Sequence, residues 1–474
     1  MLLRRFYDDG LAQASYLLGC QATGDAIVVD PNRDIAQYIQ AAEAEGLRIS
    51  HVTETHIHAD YVSGSRELAA RTGATLLLSA EGGPGWQYGF AASDGATLLR
   101  DGDRITVGNI RLDVMHTPGH TPEHLVFLVT DGASADRPMG MLSGDFIFVG
   151  DVGRPDLLER AAHVAGTMET AARQLFASLQ RTRALPDYLQ LWPGHGAGSA
   201  CGKALGAVPQ TTLGYERLFN HALQYTDEDA FVRDILAGQP EPPAYFARMK
   251  RINRDGPALL GDAARAPARL DAAGVDAAIA RGAWVIDTRP VAEFSAGFIP
   301  GTIGIARSRS LTTWFGALVP ENAESVLIAR TEAEALAVAR ELRLVGYDSI
   351  TEWAPASVIE DRRRSGAPVA TVHSEHPAAV QARLGNGAHP RLLDVRNANE
   401  WALGHIPQAE HAFLGDLEAI MRDAPREAPV VVHCQGGTRS VIATSLLVAR
   451  GFRDVTNLEG GYAEWQRAGL PVAR

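Results

Sequence analysis

The C-terminal half of the chain repeats one sequence unit. Val285–Phe294 reads Val-Ile-Asp-Thr-Arg and continues into an acidic helix start, and Leu392–Trp401 reads Leu-Leu-Asp-Val-Arg and continues in the same way. A Gly-x-Ile-Pro turn follows each copy, at Gly297–Pro300 and Gly404–Pro407. Each copy alternates short apolar strands with helical stretches, and this pattern favours a central parallel sheet. We therefore expect two related α/β units in this half of the chain.

The second copy carries a cysteine at the tip of an apolar strand. Val-Val-Val-His precedes Cys434, and a glycine-rich loop leads into the helical run Arg439–Arg450. The N–H groups of such a loop and the start of a helix place positive partial charge at the sulfur, which favours a thiolate and then a persulfide. The alternative is a buried cysteine that acts as a small apolar side chain.

The first copy lacks this cysteine. Its strand Val326–Ala329 is followed by Arg330, with no glycines behind it. Aligning strand with strand places Arg330 at the position of Cys434. We expect this copy to have a structural role.

Both motifs resemble those of the rhodanese (sulfurtransferase) family. The loop that starts at Cys434 matches C-x-x-G-x-R, and the Asp-x-Arg strand with its Gly-x-Ile-Pro turn is similar to a second motif of that family. The resemblance implies that Cys434 and Arg439 are catalytic and that a Cys434 persulfide passes its outer sulfur to sulfite, giving thiosulfate. The loop residues that would hold this sulfur are Gln435, Gly436, Gly437 and Thr438.

The N-terminal half places histidines and carboxylates directly after apolar segments. The segments are His56-Ile-His58-Ala-Asp60-Tyr61, Thr117-Pro-Gly-His120, Leu142-Ser-Gly-Asp145 and Trp192-Pro-Gly-His195. The two imidazoles of His-x-His share one side of an extended chain, because side chains repeat every second residue. Four such segments in this order indicate a metal site.

The pattern resembles the metallo-β-lactamase superfamily over Met1–Ala230, which implies an αββα sandwich with its metal site on loops at one sheet edge. In that family His-x-His-x-Asp-His supplies two metal sites, but here Tyr61 replaces the last histidine. Because a phenol is neutral at pH 7 and is a poor ligand, we expect the second site to be empty. The remaining ligands are His56, His120 and Asp145. The residues expected to surround and orient them are His58, Asp60, Tyr61 and His195.

Two imidazoles and one carboxylate with open positions opposite suit Fe(II), one ion per chain, although zinc accepts the same ligands. The Gly-Arg-x-Asp element at Gly153–Asp156 is similar to that of the persulfide dioxygenases. This resemblance implies that O₂ oxidises a low-molecular-weight persulfide, of glutathione or coenzyme A, to sulfite and thiol. Three alternatives stay open: a zinc thioester hydrolase of the glyoxalase II type fused to a sulfurtransferase, an iron-free sulfur carrier or sensor, and a flavodiiron-like oxygen reductase.

A basic, glycine-rich block, Gly198–Gly206, follows the last histidine and contains Cys201. The side chains expected to bind carboxylates of glutathione or phosphates of coenzyme A are Arg154, Lys203, Tyr215 and Arg217. The alternative is a structural turn followed by a capped helix. Dioxygenase–rhodanese fusion proteins resemble this Ser-Ala-Cys-Gly-Lys run, so Cys201 is a candidate transient sulfur acceptor.

Composition excludes several classes of protein. The formal net charge of −12 argues against nucleic acid or an anionic membrane as the main partner. Three widely spaced cysteines make a disulfide framework implausible and suit a reducing cytoplasm, and we identify neither a signal peptide nor a membrane span. We expect a cytoplasmic homo-oligomer, a dimer or a tetramer. The expected domains are a dioxygenase domain at 1–230, a linker with helices at 231–269, a cysteine-less rhodanese-like domain at 270–370 and a rhodanese domain at 371–474.

Overall fold

The computed structural model describes residues 1–160, 166–261, 267–385 and 390–474. The chain divides into two compact units. Unit 1 comprises Met1–Ala264 together with the turn Arg343–Gly346, and unit 2 comprises Arg265–Leu342 and Tyr347–Arg474. Within the described ranges, no helix combines the length and the apolar character needed to cross a bilayer.

Unit 1 is built on two six-stranded sheets, with strand orders β1-β2-β3-β4-β5-β6 and β12-β11-β10-β9-β8-β7. The strands of the first sheet are β1 (Leu2–Asp8), β2 (Gln13–Cys20), β3 (Asp25–Val29), β4 (Arg48–Thr53), β5 (Thr75–Ser79) and β6 (Thr97–Leu99). Those of the second are β7 (Arg104–Val107), β8 (Ile110–His116), β9 (Leu125–Asp131), β10 (Gly140–Gly144), β11 (Gln190–Pro193) and β12 (Thr211–Thr212). The helices are α1 (Ala36–Ala44), α2 (Ser65–Thr72), α3 (Leu157–Arg160), α4 (Met168–Arg181), α5 (Leu213–Phe219), α6 (Glu228–Leu236) and α7 (Phe246–Asp255).

The core of unit 1 lies between the two sheets, and helices cover their outer faces. Alternate residues of β2 illustrate this arrangement, because Tyr16 and Leu18 pack into the cluster between the sheets while Leu17 packs outward against α1 and α2. Both faces of β2 are therefore buried. The helices α4 and α6 cover the second sheet in the same way. The predicted αββα sandwich is confirmed.

Unit 2 contains two five-stranded parallel sheets with equivalent strand orders, β13-β17-β16-β14-β15 and β18-β22-β21-β19-β20. The strands are β13 (Ala268–Arg269), β14 (Trp284–Asp287), β15 (Ile303–Gly304), β16 (Ser325–Ala329), β17 (Glu352–Pro355), β18 (Ser374–Glu375), β19 (Arg391–Asp394), β20 (Glu410–His411), β21 (Val430–His433) and β22 (Val455–Leu458). The helices of the first sheet are α8 (Ala272–Ala280), α9 (Val291–Ala296), α10 (Leu311–Leu318), α11 (Glu332–Arg343) and α12 (Val358–Ser365). Those of the second are α13 (Pro377–Gly385), α14 (Ala398–Leu403), α15 (Leu417–Ile420), α16 (Thr438–Ala449) and α17 (Gly461–Arg467).

The sheet register corrects one detail of the repeat alignment. In the second copy Asp394 pairs with His433, so that Cys434 is the next residue along the chain. In the first copy the equivalent Asp287 pairs with Ile328, so that the counterpart of Cys434 is Ala329 and not Arg330. The first copy still has no thiol at this position, as predicted.

The segment 231–269, predicted to be a linker with helices, contains most of α6 and all of α7. The helices α6 and α7 both belong to unit 1, and Phe231 of α6 and Met249 of α7 are fully buried. The proline-rich stretches gave this segment the composition of a linker, but the apolar faces of its two helices are buried within unit 1.

Candidate functional site

Four loops of unit 1 bring the predicted ligands to one edge of its two sheets. In the second sheet β8, β10 and β11 run in the same direction, because β9 is antiparallel to β8 and β10 and because β11 is parallel to β10. Their C-terminal ends therefore meet at one edge, which is where His120, Asp145 and His195 follow. The loop after β4 adds His56 and its neighbours from the first sheet.

The first candidate ligand group is His56, His120 and Asp145, whose ligand atoms all lie within 4.8 Å of one another. All three side chains are buried. Asp145 Oδ2 lies 3.4 Å from His120 Nε2 and 3.9 Å from His56 Nε2. The two Asp145 carboxylate oxygens have no hydrogen-bond partner within the described residues. A buried carboxylate without such a partner is costly, and a metal ion would satisfy it, so this donor set fits one metal ion.

Hydrogen bonds to the far ring nitrogens prepare the two histidines for coordination. His120 Nδ1 donates to the Arg154 carbonyl at 3.1 Å, and His56 Nδ1 lies 2.9 Å from Thr55 Oγ1, which itself donates to Asp30. Each Nε2 is thereby left with its lone pair directed at the site. Burial, followed by the neighbouring histidines, lowers the pKa of His56 well below its usual value, and burial lowers that of His120. Both rings are therefore neutral, as metal ligands must be.

A second group lies beside the first and consists of Asp60, His195 and Cys201, whose ligand atoms also lie within 4.8 Å of one another. His195 Nε2 is 3.3 Å from Asp60 Oδ2 and 3.5 Å from Asp145 Oδ1. His195 Nδ1 donates to the Ala12 carbonyl at 3.2 Å, which directs Nε2 inward. Asp145 Oδ2 thus faces the first group, and Asp145 Oδ1 faces the second. Gly194 makes this approach possible, because a Cβ there would lie 2.7 Å from Asp145 Oδ1.

The remaining residues of the His-x-His-x-Asp-Tyr segment surround these groups. His58 Nε2 is 3.1 Å from Asp30 Oδ1, and although burial opposes its charge, Asp30 and the nearby carboxylates raise the pKa of His58 to about 9. Tyr61 is fully buried, and its hydroxyl donates to the Asp30 carbonyl at 3.3 Å. Tyr61 therefore directs its polar atom at Asp30. Asp30, which the sequence analysis did not single out, orients Thr55, His58 and Tyr61; its position directly after an apolar strand was the available signal.

Cys201 is buried, with an exposed fraction of only 1%. Burial, with further contributions from Asp60 and Asp145, raises the pKa of the Cys201 thiol well above its usual value. The thiol is therefore protonated at neutral pH in the metal-free site. The sequence indicated that this cysteine follows His195 closely, but it did not place it beside Asp60.

The basic residues predicted to bind substrate are engaged by the protein itself. Arg154 is fully buried, forms a bidentate ion pair with Asp156 at 3.0 and 2.8 Å, and donates to the carbonyls of Ala200 and Pro240. Arg154 thus connects the segment after Asp145 to Ala200, next to Cys201, and to Pro240, and its predicted contact with substrate stays a prediction. Lys203 Nζ donates to the Ala237 carbonyl at 2.8 Å.

Two further predicted substrate ligands lie on or beside the short helix α5. Arg217 pairs with Asp187 and donates to the carbonyls of Thr182 and Leu185. Tyr215 is 54% exposed, and its ring lies 4.7 Å from that of Phe219. Of the four side chains predicted to bind substrate, Lys203 and Tyr215 are exposed, Arg217 is partly exposed and Arg154 is fully buried.

The thiol loop of unit 2, Cys434–Arg439, joins β21 to α16. Cys434 Sγ accepts a hydrogen bond from the Gly437 N–H at 3.1 Å and faces Ser440 Oγ at 3.7 Å. Gly437 has φ +106°, a conformation that glycine adopts without strain, and it directly precedes α16 as its N-cap residue. The loop N–H and the helix start therefore direct partial positive charge at the sulfur, as the sequence predicts.

Two ion pairs shape this loop. Arg439 forms a bidentate pair with Glu400 at 2.6 and 2.7 Å, and Glu400 is also part of the capping box that begins α14. Arg396 pairs with Asp394, donates to the Gly404 carbonyl at 2.8 Å and to Gln435 Oε1 at 3.2 Å. The Asp-x-Arg motif thus ties the strand to the Gly-x-Ile-Pro turn and to the thiol loop.

The first copy has an equivalent ion pair. Arg289 pairs with Asp287 and donates to the Gly297 carbonyl at 2.8 Å. The repeated motif is therefore structural in both copies. Arg396 lies in the Asp-x-Arg motif, but no sequence pattern connected Arg396 or Glu400 to the sulfur site. Their contacts with Gln435 and Arg439 make that connection.

The chain is similar to known proteins in both halves. The Metallo-beta-lactamase superfamily model matches residues 8–195, and the Rhodanese-like domain model matches residues 376–468. A hydroxyacylglutathione hydrolase of Rhodospirillum rubrum is 28% identical over 252 residues, covering 52% of this chain and 83% of that protein. The mitochondrial persulfide dioxygenase of Bos taurus is 29% identical over 199 residues, covering 41% of this chain and 68% of that protein.

One solved structure covers more of the chain. The crystal structure of a metallo-beta-lactamase from Staphylococcus aureus subsp. aureus COL is 41% identical, with a TM-score of 0.67, and the match covers 75% of this chain and 99% of that one. Together with the two-sheet sandwich and the His-x-His-x-Asp segment at its edge, this similarity establishes the family. The chain belongs to the metallo-β-lactamase superfamily and carries a rhodanese-like domain in its C-terminal part.

Proposed function

We propose that this protein is a persulfide dioxygenase joined to a sulfurtransferase. The observation that carries the proposal is the buried group His56, His120 and Asp145, two neutral imidazoles and one carboxylate, a ligand set typical of mononuclear non-haem iron oxygenases. Tyr61, where dinuclear relatives have a histidine, directs its hydroxyl at Asp30. The similarity to a persulfide dioxygenase supports the same assignment.

The proposed first reaction is R–S–SH + O₂ + H₂O → R–SH + SO₃²⁻ + 2H⁺. The terminal sulfur is oxidised, O₂ is reduced, and the S–S bond breaks to release the thiol. Ferrous iron, when bound by His56, His120 and Asp145, supplies the redox chemistry that lets triplet O₂ react with a closed-shell persulfide. The protein keeps these imidazoles neutral by burying them and oriented by the bonds to Thr55 and Arg154.

The proposed second reaction takes place on Cys434. Its thiolate attacks the outer sulfur of a persulfide, a thiol leaves, and a Cys434 persulfide forms. Sulfite then attacks the outer sulfur, so that Cys434–S–S⁻ + SO₃²⁻ gives Cys434–S⁻ + S₂O₃²⁻. The Gly437 N–H, 3.1 Å from Sγ, and the start of α16 stabilise the anionic sulfur through both steps. The reverse direction, in which thiosulfate supplies a persulfide, uses the same groups.

Cys201 stays a predicted transient sulfur acceptor on this scheme. A persulfide R–S–SH would exchange with the Cys201 thiol to give Cys201–S–SH and R–SH. The place of Cys201 beside Asp60 and His195 supports access to the metal site, whereas the raised pKa of its thiol opposes attack by a thiolate. Unchanged turnover and product ratio in Cys201→Ser would remove the residue from the mechanism.

Oxygen uptake by anaerobically purified, metal-analysed protein tests the proposal. We expect about one iron per chain and O₂ consumption on addition of glutathione persulfide, with sulfite and thiosulfate as products. Cys434→Ser is the matched variant, since it should abolish thiosulfate formation and leave O₂ uptake and sulfite release intact. Protein with full iron content that consumes no O₂ would contradict the dioxygenase.

The second candidate function is a dinuclear thioester hydrolase of the glyoxalase II type, fused to the same sulfurtransferase. The group Asp60, His195 and Cys201 favours it, because it lies beside the first group and shares the Asp145 carboxylate. The similarity to a hydroxyacylglutathione hydrolase points the same way. Two zinc ions per chain and hydrolysis of S-lactoylglutathione without O₂ uptake would establish this function instead.

A further inference from the structure

Helix α7 reaches the metal site from a part of the chain that neither family model covers. We call the segment His56–Ser63 the metal loop, because it carries His56, His58 and Asp60. Asn253, on α7, is buried, and its side-chain amide lies against this loop. Its Nδ2 donates to the His58 carbonyl at 2.8 Å and to the Tyr61 carbonyl at 2.7 Å, and its Oδ1 accepts from the Ser63 N–H at 2.9 Å.

These three contacts require a side-chain amide. The loop presents two carbonyls and one N–H to the same point, and a carboxamide offers two donors and one acceptor there. An aspartate at 253 would keep the acceptor but would set a carboxylate oxygen against the two carbonyls. An apolar residue would leave these three backbone groups without the partner that Asn253 supplies. The pattern of partners also assigns the orientation of the Asn253 amide.

The helix that carries Asn253 is itself firmly held within unit 1. Phe246 and Met249 bury its apolar face. The Arg254 carbonyl accepts from the Gly89 N–H at 2.7 Å. Beyond the helix, the Glu67 carboxylate accepts from the N–H groups of two residues, Leu260 and Gly261. The backbone at Asn253 is therefore held in place, so that its side chain can position the metal loop.

Several other groups also hold the metal loop. Asp30 bonds the His58 imidazole and the Tyr61 hydroxyl, and the Leu344 carbonyl accepts from the Val62 N–H at 2.6 Å. The Glu123 carboxylate holds the Ile57 N–H at 2.7 Å, and the Glu54 carboxylate holds the Ser63 hydroxyl. Between these two anchors, the His58 and Tyr61 carbonyls both bond to Asn253. Asp60, which lies between those carbonyls, has no hydrogen bond on its side chain within the described residues. Asn253 holds the backbone on both sides of Asp60 and so contributes to the direction of this carboxylate, which also faces His195 Nε2 at 3.3 Å.

We propose that Asn253 is a positioning residue of the metal site, acting through the backbone of the metal loop on the placement of His56, His58 and Asp60. The proposal rests on the proposed function only in requiring that this site binds metal, and it holds for either candidate reaction. On this proposal, the segment between the two family matches helps to build the metal site. Loss of a group that orients ligands indirectly commonly lowers metal affinity by about 10–100-fold.

Asn253→Ala in the full chain tests the proposal, with Co²⁺ as the probe. The matched control is Asn220→Ala, because Asn220 is equally buried, donates to the Asp151 carbonyl and to Glu216, and accepts from the Ala222 N–H. Both variants lose three hydrogen bonds, so both should unfold at a lower temperature. Only Asn253→Ala should bind Co²⁺ at least tenfold more weakly and shift the d–d absorption bands of the bound ion.

Asn253→Ser, whose side chain is too short to bridge the three loop groups, should show the same loss and serves if the alanine variant does not fold. Wild-type Co²⁺ affinity and an unchanged spectrum in the Asn253 variants would overturn the proposal, as would an equal loss in Asn220→Ala. The readout is independent of persulfide oxidation. A wild-type protein that binds Co²⁺ but consumes no O₂ in its iron form would refute the dioxygenase and leave the comparison of Asn253 with Asn220 decisive.

Discussion

The buried ion pair between Arg154 and Asp156 gives the sharpest quantitative prediction. Both side chains are almost completely inaccessible, and the guanidinium also donates to the carbonyls of Ala200 and Pro240. Removing Arg154 leaves the buried Asp156 carboxylate with the partly exposed Arg160, 3.3 Å away, as its ionic partner. Breaking one partner out of a buried pair costs about 3–5 kcal/mol. We therefore expect Arg154→Met to lower the free energy of unfolding by at least about 3 kcal/mol. At roughly 2–4 °C per kcal/mol, the unfolding temperature of unit 1 should fall by roughly 6–12 °C or more.

A double-mutant cycle separates this structural role from the predicted role in substrate binding. Asp156→Leu should also be destabilising, and the double variant should recover part of the loss, because it removes both buried charges. The carbonyls of Ala200 and Pro240 still lack their donor in the double variant, and the partly exposed Arg160 loses its partner. Urea unfolding followed by tryptophan fluorescence, with Trp192 in the core of unit 1, measures each corner of the cycle. If Arg154→Met raises the KM for persulfide while stability changes by less than about 0.5 kcal/mol, the reasoning is wrong and Arg154 binds substrate.

Three further predictions concern other charged groups and the metal. Burial raises the pKa of Glu123 to about 7 in the folded protein, whereas the unfolded chain releases this proton near pH 4.5. The protonated Glu123 side chain therefore contributes its full stability below about pH 4.5, and this contribution is lost as the pH rises to 7. Glu123→Gln should therefore match the wild type in chemical denaturation near pH 4.5 and exceed it by up to about 3 kcal/mol at pH 8, and equal stability at both pH values would contradict this. Glu400→Gln should lower the kcat for thiosulfate formation roughly tenfold, because Arg439 loses its bidentate partner. The free energy of unfolding should fall by only about 1 kcal/mol. An unchanged kcat would show that the ion pair does not position the loop. Chelation of the metal should abolish O₂ uptake and leave sulfur transfer through Cys434 intact, and a parallel loss of both activities would refute two independent centres.

Much of the fold and part of the site were accessible from local sequence patterns. The repeated Asp-x-Arg strands predicted two α/β units, and equivalent five-stranded parallel sheets are present. The glycine-punctuated segments predicted that His56, His120 and Asp145 would lie together, and the structure brings them together. These predictions succeed because strand alternation, turn glycines and a helix start after a cysteine are encoded within a few residues of one another.

Tertiary structure alone decided which distant residues complete these sites. Cys201 lies beside Asp60 and His195, and Arg154 forms a buried ion pair with Asp156. Asn253 bonds to the metal loop from a segment whose composition predicted a linker. Sheet register, and not motif alignment, assigned Ala329 as the counterpart of Cys434. The physical reason is that a local pattern specifies the conformation of its own segment, whereas the partner of a buried amide or charge depends on how separate elements pack.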